Sequence, residues 1–409
     1  MAQNLVINGV TYNSVNSVSI PKSDGGNAVF PDTSDANATA GDIASGKTAY
    51  VNGEKITGTA TGGGGTPVPV SPKDVNFCDY DGTIVASYTL AQAQALSALP
   101  TAPDHSSDTI PLTFQGWNYT LEQVNALTDN ANIGATYIPT DGKTHLTIHI
   151  AEPGRMVVPL HFNQTVSNGV TIDWGDGSPP ETLAGTGNRN TTHTYSATGT
   201  YDITLDVTSG VLGLGANSSS YCVLGSTGNI GRVYCNMLKS VRIGNGVTEI
   251  SMSAFAYCYS LASVTIPNGV TNIGDLSTFN SCYSLASVTI PNGVTMLNYA
   301  AFAYCHSLAS VTIPNGVTMI DYQAFNNCHS LASVTIPSSV TTIGNYAFGS
   351  CYGMAHYYVY RTTPPTLGGT SVFLNIPSDC VIHVPAASLS IYQSATNWST
   401  HKAKMVGDL

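Results

Sequence analysis

A period of 23 residues governs the C-terminal part of this chain. Cys235, Cys258, Cys282, Cys305, Cys328 and Cys351 follow one another at steps of 23, 24, 23, 23 and 23 residues. Around them the sequence nearly copies itself: 258–271 and 282–295 both read CYSLASVTIPNGVT, 305–318 reads CHSLASVTIPNGVT and 328–341 reads CHSLASVTIPSSVT. A fixed period in the twenties is the signature of a solenoid, in which each copy is one coil stacked on the next. One coil cannot bury its own apolar side chains, so stacking is obligatory and both ends need caps. Such an architecture offers an extended surface for holding a partner rather than a cleft for chemistry.

Within the coil that starts at Cys258, Leu261, Val264 and Ile266 alternate with Ser263 and Thr265, the period-two pattern of a short strand with one buried face. Pro267 removes a donor and ends the strand, and Asn268-Gly269 supplies a turn. Val270 and Ile273 begin a second extended stretch. Phe279 then leads to the next cysteine, as Phe255, Phe302, Phe325 and Phe348 do in their coils. Because the six cysteines occupy equivalent places, each is expected to pack as a small buried thiol rather than in a metal site or disulfide. The degenerate coil 235–257, with Arg242 and Glu249, reads as the leading coil. Residues 352–409 read as the closing cap, with the segment RTTPPTLGG, a last strand at 381–385 and a helix-like tail containing Trp398.

The pattern L-x-x-V-x-I-P-x-x-V-T-x-I-x-x-x-A-F-x-x-C, recurring in register over about 235–351, resembles the BspA-like leucine-rich repeats. That resemblance implies a β-solenoid of the kind found in surface adhesins of bacteria and protozoa and in some phage proteins.

Only 9% of residues are charged and the net charge is −11, against about 25% charged in ordinary domains. Across 258–350 there is no Lys or Arg, and the acids are Asp275 and Asp321. Nucleic-acid binding, which needs clustered basic residues, is excluded as an expectation. No apolar run approaches the length of a membrane span. The start, MAQNLVINGVTYNSV, has neither a charged n-region nor an apolar core and does not read as a signal peptide.

Before the repeats the chain divides by composition. Residues 1–60 form a small N-terminal β module and 61–72 a Gly/Pro linker. In the first, Asn52-Gly53 between TAYV and EKITG reads as a hairpin turn, and SGKT lacks the upstream glycines and the strand-to-helix context of a phosphate loop. The string GDIASGKTAYVNGEKITGT (41–59) resembles a segment common in structural and tail-fibre proteins of tailed phages, where it tends to lie near the virion-attached end. The resemblance implies contacts between residues 1–60 and other virion proteins, assembly in the host cytoplasm and release by lysis. Phage fibres are often trimers, so a homotrimer is a further implication, to which no heptad pattern in the chain contributes.

Residues 73–150 read as a small α+β module. Asp79-Tyr80-Asp81-Gly82-Thr83 after an apolar strand resembles motif I of the haloacid-dehalogenase phosphatases, with Asp79 in the nucleophile position and Asp81 in that of the acid/base. That chemistry also needs a lysine, further acids for magnesium and a large sheet. The segment is too short for these, and the favoured reading is a hairpin turning at Asp81-Gly82. Helices are expected at 89–98 and 119–128, the second capped by Thr120. His145 and His149 share a strand face but lie too far apart to chelate one metal.

Residues 151–210 carry alternating strands, DWGDGS at 173–178, and His193-Thr-Tyr195 with Gly199-Thr-Tyr201. These resemble the PKD domain, an immunoglobulin-like sandwich, and imply that Trp174 fills the core while Asp173 and Asp176 fix turns. Calcium at the two aspartates is the alternative. Residues 211–234 read as a connector.

Two surfaces of the repeats are candidates for binding. Ser263/Thr265, Ser287/Thr289, Ser310/Thr312 and Ser333/Thr335 should make a hydroxyl-covered sheet facing away from the core. Two aromatic columns, Tyr259–Tyr283–His306–His329–Tyr352 and Tyr299–Tyr322–Tyr346, suit sugar stacking or protein contacts, although Tyr in repeats also caps coil edges. The expectation is a mostly β, multidomain, non-enzymatic protein without cofactor or metal. Its modules are an N-terminal virion-attachment module, an α+β module, a PKD-like sandwich, a solenoid and a cap, with the solenoid contacting a bacterial surface glycan or protein. A cellular adhesin, and a head-fibre or decoration protein without a receptor role, are the alternatives.

Overall fold

A computed structural model describes residues 74–127, 131–216, 218–226 and 232–409, together with six short strands before residue 58. The chain divides into two units, 1–70 and 71–409. In the first unit the strands pair as three antiparallel hairpins. In the last of these Thr48–Val51 meets Glu54–Thr57 with Val51 opposite Glu54, the pairing that a turn at 52–53 demands. Asn52, Gly53, most of SGKT and the 61–72 linker lie outside the described residues.

The second unit is mostly β, and the chain is about 10% helical, with a β-solenoid of about seven turns at its C-terminal end. In the repeats the strands stack parallel and in register: Ser287–Thr289 on Ser310–Thr312, and Met296–Leu297 on Met319–Ile320 on Thr342–Ile343. The expected turn is present, with the Val270 N–H donating to the Pro267 carbonyl at 3.0 Å. Phe255, Phe279, Phe302, Phe325, Phe348 and Phe373 form one column of near-parallel rings, with neighbouring centroids 5.1–6.0 Å apart.

Beside the phenylalanines run the thiols. Cys282, Cys305, Cys328 and Cys351 each donate Sγ–H to a phenylalanine carbonyl of the preceding coil, at 3.2–3.3 Å. Burial pushes their ionisation up, to about 12 at Cys305 and Cys351, so they are inert packing groups. Cys235 departs from this expectation. It is disulfide-bonded to Cys222, because the leading coil packs against the segment read as a connector rather than against another repeat.

That segment is not a tether. Leu212–Leu214 pairs antiparallel with Val157–Gln164 on one side and parallel with Val247–Ile250 of the leading coil on the other. Likewise Thr144–Ile150 pairs with Gly199–Val207 and with Leu238–Arg242. The pairing therefore puts Thr144–Ile150 in the sandwich rather than in the module before it. Both sandwich sheets run on into the two strand columns of the solenoid, and one continuous core includes Trp174, Phe162, Cys258 and Trp398. At the far end His356–Val359, Val381–Val384 and Met405–Gly407 extend the parallel sheet. Trp398 closes it, donating its indole N–H to the Pro365 carbonyl at 2.7 Å. The strand at 381–384 agrees with expectation; the one at 405–407 was not legible in the sequence.

Residues 74–139 form a separate small core. Asp74–Cys78 pairs antiparallel with Ile84–Thr89 around a turn with Gly82 at φ +90°. Helices lie at Leu90–Gln94 and Leu121–Asn125, both shorter than expected. Thr89 and Thr120 cap them, each with a reciprocal glutamine (Gln92, Gln123).

Candidate ligand-binding surface

The hydroxyl face is not open over its first three pairs. The 74–139 module lies across it, and the contacts are specific. Ser287 Oγ donates to the Tyr80 carbonyl at 2.9 Å. Asn118, fully buried, donates Nδ2–H to the Ile290 carbonyl at 3.1 Å and to Thr312 Oγ1 at 3.4 Å, while its Oδ1 accepts the Gly134 N–H at 2.7 Å. The Tyr119 hydroxyl donates to the Ile313 carbonyl and to Asn315 Oδ1, and the Asn268 N–H donates to Gln115 Oε1 at 3.1 Å.

Two glycines make this approach feasible. A Cβ on Gly134 would run into Thr289, and would lie 2.7 Å from Thr312 Oγ1. One on Gly82 would lie 2.6 Å from Ser310 Oγ. Thr265, Ser287, Thr289 and Thr312 are accordingly buried. The expectation of an exposed hydroxyl sheet is corrected for these coils, whereas Ser333 remains exposed and Thr335 half-buried: sequence alternation identified the outward face but could not show that another part of the same chain covers most of it.

The first aromatic column is continuous. Ring centroids are 4.6 Å apart for Tyr259–Tyr283, 4.5 Å for Tyr283–His306, 4.4 Å for His306–His329 and 5.1 Å for His329–Tyr352. The backbone fixes this spacing, since the N–H of Ser284, Ser307 and Ser330 donates to the carbonyl of Tyr259, Tyr283 and His306 in the coil before. Tyr283 and Tyr352 are exposed at 38% and 55%, and among the described residues neither hydroxyl has a hydrogen-bond partner. Burial, then the neighbouring His329, hold the His306 ionisation below its ordinary value. In this stack the ring faces are taken up by one another, which leaves ring edges, not faces, along most of the column.

The second column is shorter. Tyr299 stacks on Tyr322 at 5.2 Å, but Tyr346 meets Tyr322 edge-on at 5.8 Å. Tyr304, exposed at 40% and at φ +61°, meets His306 of the first column edge-on at 6.3 Å. The copies differ at this position, with Tyr257, Ser281, Asn327 and Ser350 as its equivalents, so no column marks Tyr304 in the sequence.

The acid and histidine motifs resolve as scaffold. Asp81 Oδ1 accepts the Thr83 N–H, and buried Asp79 holds His105 at 2.8 Å, with Asp108 on the other ring nitrogen at 3.1 Å. These bonds close a turn and pin a loop. Asp173 and Asp176 accept the N–H groups of Gly175 and Ser178. Asp176 also meets His193 Nε2 at 2.8 Å, and this hydrogen bond first, with that of Ser178, lowers its carboxyl to about 2. Trp174 is buried with His193 stacked on it at 4.8 Å. His145 lies between Asp202 (2.6 Å) and Asp141 (3.1 Å), whereas His149 meets Thr200. No group of three or more metal-ligating side chains is gathered among the described residues. No helix among them is long and apolar enough to cross a membrane.

Residues 233–355 match the BspA type leucine rich repeat region in six copies. The solved structures similar to the chain include a leucine rich cell surface protein from Faecalibacterium prausnitzii, 23% identical over 38% of this chain and 51% of that one, with a TM-score of 0.25. They also include the T. pallidum leucine rich repeat protein (24% identical, 40% and 80% covered, TM-score 0.28) and a leucine-rich repeat protein from Bacteroides ovatus (22%, 37% and 56%, TM-score 0.25). The chain thus spans about half the length of the first of these. No curated protein matches the chain. Its repeat region is a BspA-type leucine-rich-repeat solenoid.

Proposed function

We propose that the protein is a non-catalytic surface-binding scaffold whose solenoid contacts a bacterial surface component through the turn side that carries the aromatic columns. One observation carries this reading. The strand side of the solenoid is covered by residues 74–139 over the coils up to Thr312, while the turn side presents exposed Tyr283, Tyr299, Tyr304 and Tyr352. Exposed tyrosines on a rigid frame are a recurrent means of recognition, since they give a large contact area at little cost in side-chain entropy.

The carrier we propose is a tailed-phage virion, attached through residues 1–60 as a fibre or decoration. The support is the resemblance of 41–59 to phage structural proteins. Immunogold labelling of purified particles with an antibody to residues 235–409 tests the carrier. Gold on tail or capsid projections is expected. Gold on bacterial cells with bare particles would replace the virion by a cellular adhesin and leave the binding surface as stated.

A further inference from the structure

We infer that the Tyr259–Tyr352 ladder is a track for an uncharged, linear polysaccharide lying along the solenoid axis, about one sugar per coil, held by hydrogen bonds to ring edges rather than by stacking on ring faces. The inference deepens the surface-binding reading and rests on it.

Ring faces are not available along the ladder, since successive centroids at 4.4–5.1 Å leave no room for a sugar between rungs. What repeats along it are edges. The exposed, unpartnered hydroxyls of Tyr283 and Tyr352 flank the partly exposed imidazole of His306, while the Nε2 of His329 is shielded, so that this ring supports the stack rather than the edge contacts. Alongside runs a row of serine side chains, of which Ser284, Ser307 and Ser330 are exposed. A ligand matched to this surface has donors and acceptors repeating at the coil spacing, close to the ~4.8 Å of stacked strands. An extended polymer of pyranose rings has such a repeat.

Charge gives the second constraint. The coils 258–350 hold no Lys or Arg and only Asp275 and Asp321 as acids, so the track provides no counter-charge for uronic acids, phosphates or sulfates. A protein partner is less well matched, because stable protein interfaces need a desolvated apolar centre with anchor side chains. At Tyr352, exposed at 55%, the column ends, and stacking of a terminal sugar on this ring is compatible with the same track.

The test is binding of the full-length protein to a panel of uncharged linear glucans, mannans, galactans and xylans, with a polyuronate as the charged control. The Tyr283→Phe/Tyr352→Phe double variant keeps both rings in the stack and removes only the edge hydroxyls. The expected result is binding to at least one uncharged polymer, insensitive to salt between about 0.05 and about 0.5 M. The double variant should weaken it about tenfold, as the loss of two ordinary hydrogen bonds implies, at an unchanged melting temperature.

Binding only to the polyuronate, binding to no polymer, capture of a protein in place of a polymer, or an unchanged affinity of the double variant would each overturn the inference. Direct binding of the labelled protein to bacterial cells separates the two readings. Cell binding without polymer binding removes the polysaccharide track and leaves the surface-binding scaffold; absence of both removes both.

Discussion

Asn118 is the residue on which closure of the strand side depends most, and its truncation gives a calculable effect. In Asn118→Ala the Gly134 N–H and the Ile290 carbonyl each lose the partner that the side chain provided, at 2.7 and 3.1 Å, inside an interface from which Asn118 is fully shielded. A buried backbone group left without a partner costs about 1–3 kcal/mol, so the pair amounts to about 2–6 kcal/mol, before any gain from water entering the gap. The two sides belong to different cores, so the loss should fall on docking of the 74–139 module rather than on the solenoid. Hydrogen exchange read by mass spectrometry measures this. Amides of Leu112–Trp117 and Ala131–Pro139 should lose protection by at least about tenfold, equivalent to about 1.4 kcal/mol, while those of the phenylalanine column stay protected. A change below about 0.5 kcal/mol, the range of a neutral surface substitution, would refute the claim that this interface is specific and desolvated.

The remaining predictions concern packing, thiols and pH. Gly134→Val, which drives side-chain atoms into Thr289 and Thr312, should cost at least about 1–3 kcal/mol in denaturant unfolding and expose the same strands to exchange as Asn118→Ala. Phe302→Ala, in the middle of the phenylalanine column, should cost about 3–5 kcal/mol and lower the unfolding temperature of the whole repeat array. Alkylation of the native protein at pH 8 should spare Cys258, Cys282, Cys305, Cys328 and Cys351, with seven thiols reacting after unfolding without reductant and nine after reduction. For His145, burial opposes the charged ring, but the hydrogen bonds and charges of Asp202 and Asp141 outweigh it and raise its ionisation. This contribution is complete below the unfolded value of about 6.5 and is lost as pH rises through the higher folded value. His145→Gln should therefore lose most stability relative to the parent at pH 5–6 and least above pH 8, measured as the difference between the two unfolding curves.

Much of this architecture is local in origin and was legible for that reason. The 23-residue period fixed the coil, its strand, its Pro-Asn-Gly turn and the columns of Phe, Cys and aromatic side chains, since residues one period apart must stack. Thr89 and Thr120 mark helix starts through side-chain bonds three residues long, and Asp81-Gly82 marks a hairpin through its turn geometry. What escaped the sequence was long-range. Nothing near Gly134 or Asn118 says that they meet Thr289 and Ile290 more than 150 positions away. The same holds for Thr144–Ile150, an alternating strand whose partners, Gly199–Val207 and Leu238–Arg242, lie on both sides of it in space. Cys235 keeps the period yet bonds Cys222, because at the end of a repeat array the neighbour is no longer a repeat. For the binding surface, the columns were foreseen, but whether rings stack face to face or stand apart depends on side-chain conformation, which spacing alone does not set.

The central claim is that the strand side of the central coils is covered by the chain itself and that recognition falls to the turn side. The most direct measurement is binding of labelled full-length protein to susceptible bacterial cells, comparing the parent with two variants: Tyr283→Ala/Tyr352→Ala on the turn side, and Asn118→Ala, which loosens the strand side. The account predicts loss of cell binding in the tyrosine variant and parental binding in Asn118→Ala. Parental binding in the tyrosine variant, with binding gained on opening the strand side, would contradict it.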